Sequence, residues 1–407
     1  MSNILAMVLA GGQSAGLQPL TVERSTPALP FAGRYRVVDF VLSNLVNSGI
    51  HSIYLLVQYK SQSLIEHINK GWVLSHIPGH FITVVPPQMR EGPAWFQGTA
   101  NAIFQNINLI ELVQPDMVAV FGADHIYRMD VRQMVEFHRR RGAAVSIAAI
   151  PIPLKEASAF GIIDADADGR IRGFLEKPEH PPAMAGDPTR AYGSMGNYLF
   201  DTEVLLRALR EAKRRGESDF GRHILPRLIK THPIYAYDFA QNRVPGIRDY
   251  EERGYWRDVG TIDAYFEANQ DGLGAEPRFD LHNPHWLINS SNYQGPTVQI
   301  IGGLIENSSI GAGSIIKGGT VRNSVLRREV AIEEDALVED CIIMDYAVIG
   351  RGAKLRRVIL DRYNTIEAGA RIGYDAAADA SRYHVTESGL VVVAKQRREA
   401  ASVHYQH

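Results

Sequence analysis

From residue 297 onward the apolar positions follow neither a helical nor an alternating spacing. A five-residue pattern recurs instead: Ile310-Gly311-Ala312-Gly313-Ser314, Ile332-Glu333-Glu334-Asp335-Ala336, Ile349-Gly350-Arg351-Gly352-Ala353 and Ile366-Glu367-Ala368-Gly369-Ala370, with starts 22, 17 and 17 residues apart. A finer period of six lies beneath it. Positions 330, 336, 342, 348, 354, 360, 366 and 372 read Val, Ala, Ile, Val, Lys, Leu, Ile, Ile, so seven of eight are apolar. Ordinary hairpins alternate with period two. A period of six predicts a parallel β-helix of three short sides, about 18 residues per coil, each hexad's apolar residue stacking on the next coil.

The preceding two thirds read differently. Strand-like runs at 6–10, 53–57, 117–121 and 145–150 alternate with stretches at 39–48, 61–69, 99–112 and 131–140 that carry apolar residues at helical spacing. Such alternation predicts an open, mostly parallel sheet with helices on both faces. Residues 272–296 are rich in Gly, Asn, Pro and Ser and read as a joint. The predicted organisation is a first domain over 1–272, a linker over 273–296, the β-helix over 297–375 and a closing segment over 376–407. In that last segment 389–393 reads as one strand and 397–407 as a polar, mobile tail. Exposed ends of a β-helix need cover, so this part is expected to pack on the first domain or on another subunit. The basic runs Arg139–Arg141 and Lys213–Arg215 fit solvated helix C-termini.

Composition narrows the function classes. The chain has 407 residues, 43 Lys+Arg against 45 Asp+Glu, and a formal net charge of −2. No overall basic field points to nucleic acid or an anionic membrane. The single cysteine, Cys341, excludes an internal disulfide framework and a Cys-rich zinc site. The opening apolar run spans only residues 4–10 without a basic flank and reads as a first strand, not a signal peptide. No apolar stretch approaches 18 residues, the length of a membrane span. The expected address is the cytoplasm.

Candidate chemistry begins where the first strand ends. Leu9, Ala10, Gly11 and Gly12 stand at the C-terminal edge of the sheet, where ligands of open α/β folds gather. Glycines there let the backbone approach a phosphate and offer N–H groups to it. The residues match neither the P-loop nor the dinucleotide-binding pattern. Asp124 follows the strand at 117–121 and is expected at the same edge.

The surrounding motifs carry a resemblance. Val8-Leu9-Ala10-Gly11-Gly12, Leu17-Gln18-Pro19-Leu20-Thr21 and Pro27-Ala28 resemble the glycine-loop signature of sugar-phosphate nucleotidyltransferases. Arg36-Val37-Val38-Asp39-Phe40, Asn47-Ser48-Gly49-Ile50, Gly98-Thr99-Ala100, Asp124-His125-Ile126-Tyr127, Phe174-Leu175-Glu176-Lys177-Pro178, Ser194-Met195-Gly196 and Trp256-Arg257-Asp258-Val259-Gly260-Thr261 narrow it. Along nearly the whole chain the sequence is similar to the ADP-glucose pyrophosphorylase (glucose-1-phosphate adenylyltransferase) family. The resemblance implies a Rossmann-like nucleotidyltransferase domain with a mixed, mostly parallel sheet, followed by a left-handed parallel β-helix. It implies synthesis of ADP-glucose and pyrophosphate from ATP and glucose 1-phosphate, for glycogen. It implies Mg²⁺ on Asp124 and Asp258, and a catalytic Arg24. Nucleotide contacts would come from Leu9 to Gly12, Gly98, Thr99 and Ala100, with Gln58 reading the base edge. Glucose 1-phosphate contacts would come from Tyr127, Gly161, Glu176, Lys177 and Ser194. Arg34 and Arg36 would grip an anionic effector, and the assembly would be a homotetramer or a hetero-oligomer with an active paralogue.

Two positions depart from the family pattern. Gly16 stands where the family has Arg, and Thr26 where it has Lys. Both cations would face the leaving pyrophosphate. Loss of one preorganised transition-state donor costs about 10²–10³ in rate. Two readings follow: an active adenylyltransferase with an altered triphosphate clamp, or a catalytically weakened modulatory subunit that regulates an active partner. An acyltransferase using the β-helix is disfavoured, because no histidine occurs between His285 and His384 to act as base.

Overall fold

The computed structural model describes residues 3–12, 14–74, 77–88, 92 and 94–396; the tail expected over 397–407 lies outside them. The first strand, Ile4–Leu9, alternates Leu5 and Met7 into one core and Ala6 and Val8 into another. A strand buried on both faces needs layers on both sides. Helices Thr99–Phe104 and Thr202–Arg215 cover one face, and Val37–Asn47, Gln62–Gly71 and Val131–Arg141 the other. The helix read over 99–112 is broken at Gln105 and Asn106 and resumes as Ile107–Val113. The runs Arg139–Arg141 and Lys213–Arg215 do end helices.

Ile4–Leu9 pairs in parallel with Ser52–Leu56 and with Met117–Gly122, and Ser52–Leu56 pairs in parallel with Phe81–Val85. Leu9 is in register with Gly122, so the chain leaves both strands at one edge and sets Gly11 and Asp124 side by side. The antiparallel wing was not legible beyond its first run. The 12-residue strand Arg190–Asp201 pairs antiparallel with Met117–Gly122, with Val145–Pro153 and with Gly161–Ala165, which in turn carries Ile171–Glu176.

The C-terminal domain is a stack of parallel coils, and its period corrects the expected one. Ala331 pairs with Val348 and Val348 with Thr365, seventeen residues on each time. The inward residues are Ile332, Val338, Ile343, Ile349, Leu355, Leu360, Ile366 and Ile372, all buried. They step by six, five and six, so one side of each coil is a residue short. A strict hexad therefore drifts out of phase, which is why Lys354 fell on a nominally inward position. At several corners a non-glycine residue takes a left-handed conformation, among them Tyr346 at φ 61° and Tyr363 at φ 64°, a stacked pair with ring centroids 5.1 Å apart. Val391–Val393 pairs with Val358–Leu360 as expected of a closing strand, but a short helix, Ala376–Arg382, precedes it. Cys341 is buried inside the coils, and burial pushes its thiol up to about 12, so it stays protonated.

The β-helix packs on the first domain. Val325, Ile342, Ile359 and Val392 share a core with Leu17, Phe31, Phe40 and Tyr265. Buried ion pairs flank that contact. Arg24 meets Asp361, while Arg327 holds Asp345 and donates to the carbonyls of Phe31 and Tyr35. Burial alone raises a carboxyl, but Arg327 and Arg328, with Arg36 behind them, outweigh it and hold Asp345 below its usual range. A depressed carboxyl contributes stability above its unfolded pKa, lost as pH falls through the folded value. Asp345→Asn is expected to cost about 3–5 kcal/mol at pH 7, as for a broken buried pair. Melting curves should show this deficit closing once the pH is taken below about 4.

Candidate active site

His125–Tyr127 and Trp256–Asp258 form a separate two-stranded antiparallel ladder in which Asp258 is opposite His125. The ladder sits just beyond the strand Met117–Gly122, so it carries Asp258 to the residue next to Asp124. Val259 N–H reaches the Asp124 carbonyl at 3.5 Å. The Asp124 carboxylate is 53 % exposed. That of Asp258 is largely buried, and burial, reinforced by the charge of Asp124, raises its pKa. His125 stacks on Trp256 with centroids 4.8 Å apart, and its buried Nδ1 lies 3.4 Å from Asp124 Oδ1 without hydrogen-bonding any group.

This donor set fits a small hard cation. Two neighbouring carboxylates repel, and one is already pushed toward its neutral form. A divalent ion would favour the anionic form of Asp258 and offset the repulsion. Among the described residues no cluster of three metal-ligating side chains occurs. Mg²⁺ does not require one, since it keeps water and takes phosphate oxygens alongside one or two carboxylates.

Around this pair the chain gathers most of the expected groups. Lys177 stands in a left-handed turn at φ 49°, and its positive charge opposes the rise at both Asp258 and Glu176. Glu176 is raised by burial and by Asp219. Two glycines make room for it. A Cβ on Gly161 would meet Phe174 at 2.7 Å and Glu176 Oε2 at 3.1 Å; one on Gly221 would meet Glu176 Oε2 at 2.7 Å. Gly221 sits in the wide turn Phe220–Ile224, capped by Asp219. Sequence reasoning missed Ser218, Asp219 and Gly221, because no motif marks them. The same segment holds the other loop: Thr99 Oγ1 donates to Asp219, and Ala100 N–H to the Ser218 carbonyl. Gly98, at φ 153° and with Ser218 O 2.5 Å from where a Cβ would be, tolerates no side chain. Ser194 Oγ accepts from Gly196 N–H at 3.3 Å, at the irregular stretch of its strand.

Three of the expected residues are turned to other partners. Tyr127 is 0 % exposed, and its hydroxyl accepts from Asn197; it is core beneath the site. Gln58 packs on Gly11, but its amide accepts from Phe96 N–H and donates to Phe96 C=O. It braces the segment before Gly98. Arg24 is 2 % exposed and turned into the β-helix, where its NH2 group lies 2.5 Å from each Asp361 oxygen. It does not reach the carboxylates of the site.

The two departing positions also have a structure. Ser14 Oγ donates to the Gly260 carbonyl at 2.6 Å, latching the glycine loop beside Asp258. Gly16 is packed there so closely that a Cβ would lie 2.7 Å from the same carbonyl oxygen. Thr26 is 3 % exposed, and its hydroxyl has no partner. Arg34 and Arg36 lie elsewhere, on a cleft of about 1100 Å³ between the domains that Tyr293, Asn307, Arg327 and Arg328 also line. Arg34 is exposed. Arg36 donates to the Ser63 carbonyl, and burial, with Arg327 nearby, lowers it to about 10.

Glycine loop, paired carboxylates and coil stack together define a nucleotidyltransferase with a hexapeptide-repeat domain. The chain matches the Nucleotidyl transferase family model over residues 5–274 and the GlmU-like C-terminal hexapeptide model over residues 298–393. It is 53 % identical over 400 residues to a glucose-1-phosphate adenylyltransferase of Thermodesulfovibrio yellowstonii, covering 98 % of this chain and 97 % of the relative. The namesake of Mycolicibacterium vanbaalenii is 50 % identical over 396 residues (97 % and 98 % covered), and one of Vibrio parahaemolyticus 42 % over 410 (98 % and 99 %). The chain belongs to the glucose-1-phosphate adenylyltransferase family. No helix among the described residues is long and apolar enough to cross a membrane.

The glycine cradle generates a direct test. Gly221→Ala is expected to expel the Glu176 carboxylate and weaken sugar-phosphate binding about tenfold or more, the loss of one charge-assisted hydrogen bond. Nucleotide affinity should stay within about twofold. Calorimetric titration with each ligand checks both.

Proposed function

We propose that the chain transfers the adenylyl group of ATP to glucose 1-phosphate, forming ADP-glucose and pyrophosphate. The observation that carries this reading is the placement of Asp124 and Asp258 side by side at the sheet edge where Gly11 also emerges. A phosphate oxygen of glucose 1-phosphate bonds to the α-phosphorus as the bond to the β-phosphate bridging oxygen breaks. The nucleophile is already anionic, so no base need deprotonate it, and positioning and charge stabilisation do most of the catalysis.

In this reading the backbone of Leu9 to Gly12 lies along the nucleotide phosphates, and Gly98, Thr99 and Ala100 lie against the base and ribose. Lys177 takes the phosphate of glucose 1-phosphate, while Glu176 and Ser194 hold its sugar. Asp124 and Asp258 would hold Mg²⁺, which would neutralise charge on the phosphoryl oxygens. Arg34, with Arg328 across the cleft, would grip an anionic effector.

The altered clamp favours slowed turnover over none. With Gly16 seated on Gly260 and Thr26 buried, no basic side chain stands at either position. Pyrophosphate release from ATP and glucose 1-phosphate is therefore expected from the purified chain, dependent on a divalent cation. Thr26→Lys is expected to raise kcat about tenfold or more, toward the value of one restored donor. Gly16→Arg should help less, because the loop must first leave Gly260. Background turnover in the native chain, with rescue by the double substitution, would instead favour the modulatory reading.

Self-association is the second expectation. Among the described residues Gln299–Glu306 pairs only with Ile315–Arg322, and Ile300, Ile301 and Leu304 on it are exposed. A long apolar edge without proline or lysine is an unprotected template for another strand. A second copy supplies it by two-fold pairing, on the way to a homotetramer. Ile301→Lys should lower the assembly mass seen by light scattering after gel filtration.

A further inference from the structure

Arg24 lies two residues before Thr26, on the loop that begins at Gly11 and is latched at Ser14 to Gly260. Its far limb is held differently. The Arg24 NH2 group lies 2.5 Å from both Asp361 oxygens, its NH1 group 3.7 Å from Met344 Sδ, and both side chains of the pair are 3 % exposed. The preceding residue, Glu23, pairs with Lys395 at 2.5 Å. Asp361 and Lys395 follow adjacent strands, Val358–Leu360 and Val391–Val393, in register at Leu360 and Val393. Asp361 N–H is bonded to the Val393 carbonyl at 2.9 Å. The β-helix thus presents one anion and one cation, fixed relative to each other, to a cation and an anion that are consecutive in the loop.

We infer that Asp361 is a positioning residue for the triphosphate-binding loop. It acts through Arg24, which itself serves the reaction by anchoring the loop and not by touching phosphate. This rests on the adenylyltransferase reading of the site. A buried ion pair is a poor stabiliser, because desolvation offsets most of its attraction. What such a pair does supply is a single geometry. A loop displaced by about 1 Å can cost on the order of 100-fold in rate. The β-helix then has a part in catalysis without contributing a group that meets substrate.

The test is a double-mutant cycle with Arg24→Met and Asp361→Asn, which keep side-chain volume, read by steady-state pyrophosphate release. Each single change is expected to raise the KM for ATP or lower kcat about tenfold or more, leaving the KM for glucose 1-phosphate unchanged. The double variant should be no worse than either, since both remove one interaction, and Asp361→Glu should recover part of the loss. Additive losses, with Arg24→Met far the more severe, would place Arg24 on the substrate and overturn the inference. So would Asp361→Asn variants that melt lower but keep native kinetic constants. Should the native chain release no pyrophosphate, the functional reading fails, and amide hydrogen exchange still decides the anchor. Faster exchange over residues 20–29 in folded Asp361→Asn supports it, and unchanged exchange rejects it.

Discussion

Asp258 faces His125 across a ladder of three residue pairs, and the site is arranged around that register. The parallel pairing of Leu9 with Gly122 delivers Gly11 and Asp124 to one edge. The short ladder then folds a segment more than a hundred residues further on back beside them. Shifting it by one residue would turn Asp258 to the opposite face. Rings and charge both secure the ladder: Trp256 packs between His125 and Phe160, and Arg257 pairs with Glu252 and Asp271. Because the two carboxylates repel and Asp258 is partly desolvated, the arrangement is costly without a cation, which is why it reads as a binding site and not as a structural feature.

The remaining parts support this edge from three sides. Gly161 and Gly221 are contact-limited positions that leave the Glu176 carboxylate its place. Ser218 and Asp219 tie the loop at Gly98 to the same wall. The glycine loop is gripped between Gly260 and the β-helix. The C-terminal domain is therefore continuous with the machinery of the first, through a shared apolar core and through ion pairs from which water is excluded. The cleft that holds Arg34 borders the same contact.

Much of this was legible in the sequence, and the losses have physical causes. The central strands were legible because each is buried on both faces and reads as an apolar run. The coil stack was legible because glycine and aspartate corners recur at fixed intervals, but a side one residue short defeats a strict hexad and exposed Lys354 as the misfit. The antiparallel wing was not, since Gly161–Ala165 and Ile171–Glu176 are short and interrupt their buried residues with exposed ones. Among site residues, Gly11, Asp124 and Asp258 share one sheet edge because strand register alone carries them there. Motif membership did not reveal the burial of Tyr127 and Arg24, whose side chains are turned into the protein. Orientation depends on partners such as Asn197 and Asp361, which are remote in sequence and leave no local sign.

The central claim is that Asp124 and Asp258 jointly hold the divalent cation that binds with the triphosphate. Anomalous scattering from a crystal grown with Mn²⁺ and a non-hydrolysable ATP analogue tests it most directly. The account predicts a metal peak within coordination distance of a carboxylate oxygen from each residue and of phosphate oxygens. A peak bound by only one of the two aspartates, or nucleotide seated with its phosphates away from this edge, would contradict it.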